Sequence, residues 1–407
     1  MINPRKVDDV PYPPELCARC KAEKLLCGRS KCPILEKFYI STHLAPLKEL
    51  NGSSPPSVFV GSRYYPKVNI GPAAPNEHGD TSKYESEENL VKMDLEDIVK
   101  LRYSLYRGYK ILHATDARSP NAYLSDLHDL ILISRPTDIE LDYLKFNENL
   151  HIDANSQPFG PGGIIRKFHH EHGSTDRSLE KVYYDTDLRA QDAIIYLREN
   201  QIPLNTIQKL LSLGMLGDLK FRKLVPTRWA ITATDNTLSD HYQRKLMEFE
   251  QIDSMYYFEQ SNFGNNYFIL IFPWSYVYEN IEVWGFGSVW VGNRGLSIEE
   301  EYEDSRRKVR SPSMGGSFFA SKLPILEYLN EIEKSAGFIV IRYITGEYYI
   351  PVGVWQVREN IRAALKNPKP IDSIDNFFDI VKMRTGIDFK YHSKIYRMIK
   401  TQRKLGV

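Results

Sequence analysis

Four cysteines, Cys17, Cys20, Cys27 and Cys32, are the residues whose type and spacing most plainly imply chemistry, and they are the full cysteine complement of a 407-residue chain. Cys17-x2-Cys20 lets two thiolates and the amides between them turn around one cation, and Cys27-x4-Cys32 closes the set from the other side. Four thiolates at tetrahedral corners suit one Zn²⁺, which acts as a structural staple without redox chemistry. Gly28, beside the third thiol, reaches positive φ at no steric cost. An iron–sulfur cluster and disulfides are the alternatives. The x2, x6, x4 spacing matches neither ferredoxin pattern, and a chain of this length folds without bridges. Such an arm either contacts nucleic acid or only holds the N-terminus against a domain. Arg19, Lys21, Lys24, Arg29 and Lys31 tilt the window toward phosphate contact.

A second set of candidates lies in polar, arginine-rich stretches. Two short β-type runs, Val58–Val60 and Val68–Ile70, are followed by Gly61 and Gly71, and Arg63, Tyr64, Tyr65 and Lys67 stand between them. Glycine at a strand end lets backbone N–H groups approach an anion, and Arg63 or Lys67 would complete a phosphate cradle. A plain β-hairpin is the other reading, since neither glycine-rich nucleotide fingerprint is present. Arg222 and Arg228 flank an apolar stretch that runs on to Asp235. An arginine there needs an internal partner such as Asp235, or an anionic ligand. Arg358 is the last ligand candidate. Asp185, Asp187 and Glu359 are candidate bases or metal ligands, although the two aspartates equally suit a helix N-terminus. His169-His170-Glu171-His172 lacks the i, i+4 spacing of a zinc-protease helix and reads as a surface loop. An enzyme built from these residues would perform phosphodiester or ADP-ribosyl chemistry on a nucleotide or a DNA end. No nucleophile–base spacing is legible, so no mechanism follows.

The elements that must position these residues belong to an ordinary globular protein, with 42% hydrophobic and 26% charged residues. A net charge of +1 excludes a global electrostatic footprint for DNA, so any nucleic-acid surface must be local. One local bias is the segment 381–407, where eight cations face Asp388 alone; a solvated helix face explains it as well as DNA does. The longest apolar run, Tyr267–Phe272, is far short of the ~20 residues of a membrane span, so a cytoplasmic protein with no membrane partner is expected. The length suggests a four-cysteine zinc-binding module over 1–50, a central α/β region over 51–235 and a C-terminal α+β region over 236–407. Helices are predicted over 94–105 with Gly108 as the stop, 185–198, 204–213, 313–329, 353–362, 374–383 and 393–404. Strands are predicted at 266–272, 281–286 and 338–344, with the first two as antiparallel neighbours, and another is predicted to end at Ser134-Arg135-Pro136. Pro158 to Gly163 reads as a loop. The fold class is therefore α+β: a mixed sheet core packed with helices, plus a small N-terminal zinc module held by the four cysteines.

Taken together, several stretches resemble the archaeal Nre family of DNA repair proteins. They are Cys27-Gly-Arg-Ser-Lys-Cys32-Pro33, Ser54-Pro-Pro-Ser-Val-Phe-Val-Gly61 with Gly71-Pro72, Leu101-Arg-Tyr-Ser-Leu-Tyr-Arg-Gly108, Asp185-Thr-Asp-Leu-Arg-Ala190, Leu224-Val-Pro-Thr-Arg-Trp-Ala-Ile-Thr-Ala233 and Pro351-Val-Gly-Val-Trp-Gln-Val-Arg-Glu359. The resemblance spans nearly the whole chain. It implies a role in the response to DNA damage, with the cysteine module as a zinc finger; the cysteine window and the arginine-rich segments make DNA or a nucleotide the expected partner. Some members of the family end in a motif for the sliding clamp (PCNA). Gln402 and Leu405 match its spacing, but Gly406-Val407 follow without the aromatic plug, so clamp binding is not expected. Three functions fit: a DNA-binding repair factor, a nucleotide-directed enzyme and a non-catalytic repair scaffold.

Overall fold

Strict alternation along Thr137-Asp-Ile-Glu-Leu-Asp-Tyr143, with the odd positions buried, is the signature of a strand covered on one face. In the computed structural model, which describes residues 14–20, 26–28, 47–147, 159–291 and 295–401, that strand belongs to the first of two six-stranded sheets. The chain divides into two compact units, and the described residues from 47 to 238 form one of them. The other holds the described residues from 239 to 401 together with helix α1 (Pro14–Cys20).

The sheet of the 47–238 unit comprises β1 (Glu49–Ser54), β2 (Ser57–Val60), β3 (Lys67–Ala74), β4 (Tyr106–His113), β5 (Thr137–Asn147) and β6 (Gly162–His170). Their order is β1-β5-β6-β4-β3-β2, antiparallel throughout except for the β4–β6 pair. β2 and β3 form the hairpin that was the alternative to a phosphate cradle, with Ser57 opposite Ala73. Gly71 is required by the close approach of β4, because a Cβ there would lie 1.9 Å from the Gly108 carbonyl oxygen. Around the sheet stand α2 (Glu87–Leu90), α3 (Leu95–Tyr103), α4 (Ala122–Leu132), α5 (Arg177–Tyr184), α6 (Ala190–Glu199), α7 (Leu204–Ser212) and the first part of α8 (Thr227–Leu246).

Four local expectations differ from the structure. The apolar run before Ser134-Arg135-Pro136 is helix α4: Asn121 caps it by accepting the Leu124 N–H at 3.0 Å, and Leu124, Leu127 and Ile131 recur at helical spacing in the core. Pro136 precedes β5, where its missing N–H interrupts no ladder. Gly108 does not stop α3, which ends at Tyr103; it lies inside β4. Gly162-Gly163 open β6 and His169-His170 close it, so neither pair belongs to a loop.

His128 of α4 is buried between two partners. Its Nε2 lies 3.1 Å from the Leu213 carbonyl and its Nδ1 3.1 Å from the Tyr183 hydroxyl, which fits a neutral ring donating from Nε2. Burial, outweighing the Leu213 carbonyl, pushes the imidazole down to about 4. An unfolded histidine titrates near 6.5, so the unfolded chain takes up the proton first as the pH falls. The stability this ring contributes is complete above about pH 6.5 and declines toward pH 4, by about 2 kcal/mol at pH 5. Hydrogen exchange of the α4 amides at pH 7 and pH 5 should show that loss, and His128→Gln should remove most of the difference. An equal loss in the variant would assign the acid sensitivity elsewhere.

The sheet of the 239–401 unit comprises β7 (Met255–Asn262), β8 (Asn265–Phe272), β9 (Val277–Trp284), β10 (Ser297–Asp304), β11 (Gly337–Ile344) and β12 (Lys369–Ile371), in the order β10-β9-β11-β8-β7-β12. β8 and β9 are not neighbours as expected: β11 lies between them, antiparallel to β8 and parallel to β9. The physical reason is that Phe338-Ile-Val-Ile341 is apolar on both faces and needs a central place in the sheet. One face packs α9 (Gly316–Glu331) and α10 (Trp355–Leu365) through Phe318, Leu326, Val357 and Ile361. The other packs α11 (Ile374–Thr385) and α12 (Lys394–Thr401) through Phe377, Val381 and Ile395. The architecture is thus α+β, with two mixed sheets packed by helices.

The cations of the C-terminal segment meet carboxylates, several of which lie before residue 381. Lys390 reaches Asp379 at 2.6 Å, Lys382 reaches Asp388 at 2.9 Å, and Lys400 pairs with Asp375. Part of the sequence bias, at Lys382, Lys390 and Lys400, is thus met by local carboxylates. No helix among the described residues is long and apolar enough to cross a membrane.

Candidate functional site

The loop between β2 and β3, residues 61–66, is tied to its surroundings by backbone groups, which leaves its side chains outside. Val60 N–H donates to Thr227 Oγ1 at 2.9 Å, setting the loop beside the first turn of α8. The Pro66 carbonyl accepts the Ala114 N–H, and the Ala114 carbonyl accepts the Leu224 N–H, both at 2.8 Å. A third segment joins through Arg222. Its Nε donates to the Gly217 carbonyl at 2.7 Å, and its Nη2 donates to the carbonyls of Tyr183 and Asp185 at 3.0 and 2.9 Å. Leu219 N–H donates to the Thr186 carbonyl at 2.9 Å. Four stretches of the 47–238 unit are thus linked by hydrogen bonds, and their exposed side chains are taken together as one face.

Large aromatic rings stand out on this face. Tyr64, Phe221 and Tyr184 are 66%, 67% and 72% exposed. Tyr65 and Trp229 are also exposed and pack against each other, tilted by 57°, with centroids 5.1 Å apart. Rings of this size are ordinarily buried, so a cluster of them in water needs a reason. Cations alternate with them. The Arg63 guanidinium lies 5.4 Å from the Tyr64 centroid, and Lys220 Nζ lies 5.0 Å from that of Phe221. Lys67, Arg118 and Lys223 are exposed on the same segments. Of the acids on these segments, Asp116 accepts the His113 N–H at 2.8 Å, and Asp218 accepts the Lys220 N–H at 3.1 Å and pairs with Lys220 Nζ at 3.2 Å. Rings that offer their faces beside cations can stack bases and neutralise phosphates.

The predicted site residues are distributed as follows. Arg63 and Lys67 lie on this face, and Arg228 is half-buried in the first turn of α8. Arg222 is buried beneath the face, with its guanidinium engaged on three carbonyls. Asp185 shapes a turn by accepting the Leu188 N–H at 3.0 Å; hydrogen bonds from Asp187 and Leu188 hold its carboxyl below the usual range. Asp187 is exposed. In the other unit, Arg358 is buried within α10, and Glu359 pairs with Arg362, which also reaches Glu327 at 2.8 Å. Cys17 and Cys20 lie one turn apart on the buried side of α1, against β10, with Arg19 4.0 Å from Glu299. Cys27 precedes Gly28, which adopts φ +73° as expected of a tight turn. Cys32, Gln402 and Leu405 lie outside the described residues, among which no three metal-ligating side chains are placed to hold an ion. Tyr64 and Tyr65 stand in the sequence only as neighbours of Arg63 and Lys67, and Tyr184, Phe221 and Trp229 are not singled out there, although Arg63-Tyr64-Tyr65, Lys220-Phe221 and Arg228-Trp229 each set a cation beside an aromatic.

Comparison with known proteins adds the family. The model described as Archaeal Nre, N-terminal, matches residues 26–291, and that described as Archaeal Nre, C-terminal, matches residues 303–406. The chain belongs to the archaeal Nre family. Among the relatives of this Nre chain, the DNA repair protein NreA of Archaeoglobus fulgidus is 34% identical over 362 residues, covering 88% of this chain and 91% of that protein. The DNA repair protein NreB of the same organism is 35% identical over 348 residues, covering 85% and 87%. The DNA repair protein NreA of Haloferax volcanii is 31% identical over 333 residues, 78% of each chain. No solved structure matches the Nre chain. The aromatic face lies wholly within the N-terminal match, whereas Cys17 and Cys20 precede it.

Proposed function

We propose that this Nre chain acts in DNA repair by holding single-stranded DNA on the aromatic face of its 47–238 unit. The observation that carries the reading is the alternation of exposed rings and cations on backbone-tied segments. A duplex keeps its base faces stacked, so rings that offer stacking select unpaired bases. The relatives, which are DNA repair proteins by name, supply the repair context. The cysteine window is proposed to bind one structural Zn²⁺, supported by its spacing and by the turn at Gly28. That part is checked by elemental analysis of untagged protein, with one zinc per chain expected; neither zinc nor iron in stoichiometric amount would remove it.

DNA binding is checked by fluorescence anisotropy with a labelled oligonucleotide at several salt concentrations. Three to five neutralised phosphates would give a log–log slope of about −2 to −3.5, from roughly −0.7 per phosphate for single strands. Arg63→Ser should make the slope shallower by about 0.7. A duplex of equal length should bind more weakly. No affinity at low salt, or a preference for duplex, would contradict the proposal.

A further inference from the structure

The 239–401 unit contains a second built site, which none of the sequence candidates marks. A cavity of about 30 Å³ is lined by Trp284, Trp290, Ser317, Arg342, Tyr348 and Gln356, among others. Arg342, on β11, is almost wholly buried and is held from behind. Its Nε and Nη2 donate to Asn265 Oδ1 at 2.9 and 2.6 Å, and its Nη1 donates to Glu282 Oε2 at 2.8 Å. A guanidinium has five N–H bonds; these contacts use three, and the Tyr348 hydroxyl, which also lines the cavity, bonds the guanidinium as well. Burial works against its charge, but Tyr267 and Glu282 outweigh that and keep it ionised. Glu282 is shielded by donors on both oxygens, Trp284 Nε1 at 2.9 Å and Ser317 Oγ at 2.5 Å, as well as by Arg342 itself.

Two further features converge on the same space. Met314 and Ser317 line the cavity at the N-terminus of the 16-residue helix α9, whose first-turn N–H groups have no acceptor within the helix. Gly315 holds φ +66° there, and a Cβ on it would meet nothing within 4 Å, so the approach to the helix end is open. Gln356 is 1% exposed, and its Oε1 accepts Tyr267 Oη at 2.9 Å and Asn360 Nδ2 at 3.1 Å. Those contacts fix the amide so that its NH₂ is the donor, and among the described residues that NH₂ has no acceptor. A buried amide donor, a pinned guanidinium and a helix N-terminus around one small space make a donor-rich pocket without a matching acceptor.

We propose that this cavity binds a phosphate group, as the terminal phosphate of a nucleotide or of a nucleic-acid end. By the same measure a water occupies about 10–15 Å³, so a small oxyanion replaces a few waters while the rest of its bearer stays outside. Trp284 and Trp290, with centroids 5.9 Å apart, exclude solvent on one side and act as reporters.

The test is a ¹H–¹⁵N titration of the full chain, following the indole signals of Trp284 and Trp290. Each signal is assigned by its loss in Trp284→Phe or Trp290→Phe. The probes are inorganic phosphate, a nucleoside 5′-monophosphate and the unphosphorylated nucleoside. Both phosphates should shift the two signals saturably, and the nucleoside should not. Inorganic phosphate binding tighter than the monophosphate would point to the free ion as the ligand, and the reverse to a nucleotide end; both outcomes support the site. Gln356→Glu keeps the acceptor for Tyr267 and Asn360 but replaces the donor with negative charge, and should weaken phosphate at least about tenfold. Indole signals that stay still in the wild-type chain under phosphate overturn the proposal whether or not the variant folds. An unchanged midpoint in a folded Gln356→Glu protein does the same.

Discussion

Replacing Lys322 by methionine is expected to destabilise the 239–401 unit by about 3–5 kcal/mol, the usual loss when one partner of a buried ion pair is removed. Lys322 Nζ lies 2.8 Å from Glu303 Oε1, and the side chains are 2% and 1% exposed. Its stem packs by Phe318 and Phe319, with Nζ 5.5 and 5.4 Å from their centroids, so methionine preserves much of the shape. The cost comes from Glu303, which would keep only the Tyr276 hydroxyl and the Val309 N–H at 3.2 Å. The double variant Lys322→Met, Glu303→Gln removes the stranded charge and should recover a large share of the loss. Denaturant unfolding followed by tryptophan fluorescence checks both. A single variant within about 1 kcal/mol of wild type would mean that water reaches the pair.

The second large effect is on binding. Trp229→Ala and Tyr65→Ala should each weaken single-stranded DNA by about 1–3 kcal/mol, the usual worth of one stacked base. Because these rings pack against each other, the double variant should lose less than the sum of the two. Stability should fall by less than the binding energy, since the two residues are 39% and 43% exposed and the loop is held by Thr227 and Ala114 through backbone groups. Anisotropy measures the affinity and thermal unfolding the stability. Alanine variants that bind as wild type would remove stacking from the account and leave a purely electrostatic contact.

Much of the second sheet was legible because its strands carry their reasons locally. Phe338–Ile344 and Asn266–Phe272 are apolar runs of strand length, and the helices starting near Ser313, Gly353 and Ile374 show their periodicity openly. What could not be read was adjacency. Nothing in β8 or β9 says that β11 will separate them; that follows from the crossover helix α9, which returns the chain parallel to β9. The buried pairs Glu282–Arg342 and Glu303–Lys322 were invisible for the same reason, since partners 60 and 19 positions apart meet only after the sheet forms. Alternating acids in Ile298-Glu-Glu-Glu-Tyr-Glu-Asp304 look like a solvent face until α9 covers one side of them. In the other unit Arg63, Lys67 and Arg228 were chosen for their charge, and the rings beside them were passed over. Arg222 looked like the same kind of residue; only the carbonyls of Gly217, Tyr183 and Asp185 gathered around it separate a clamp from an anion ligand.

Photocrosslinking tests the aromatic face most directly. Single-stranded DNA carrying 5-iododeoxyuridine, irradiated with the full chain and mapped by mass spectrometry, is predicted to form adducts on the peptides holding Tyr64–Tyr65, Phe221 and Trp229. Adducts confined to the segment 382–401, or none on those peptides despite measurable binding, would contradict the assignment of this face to DNA.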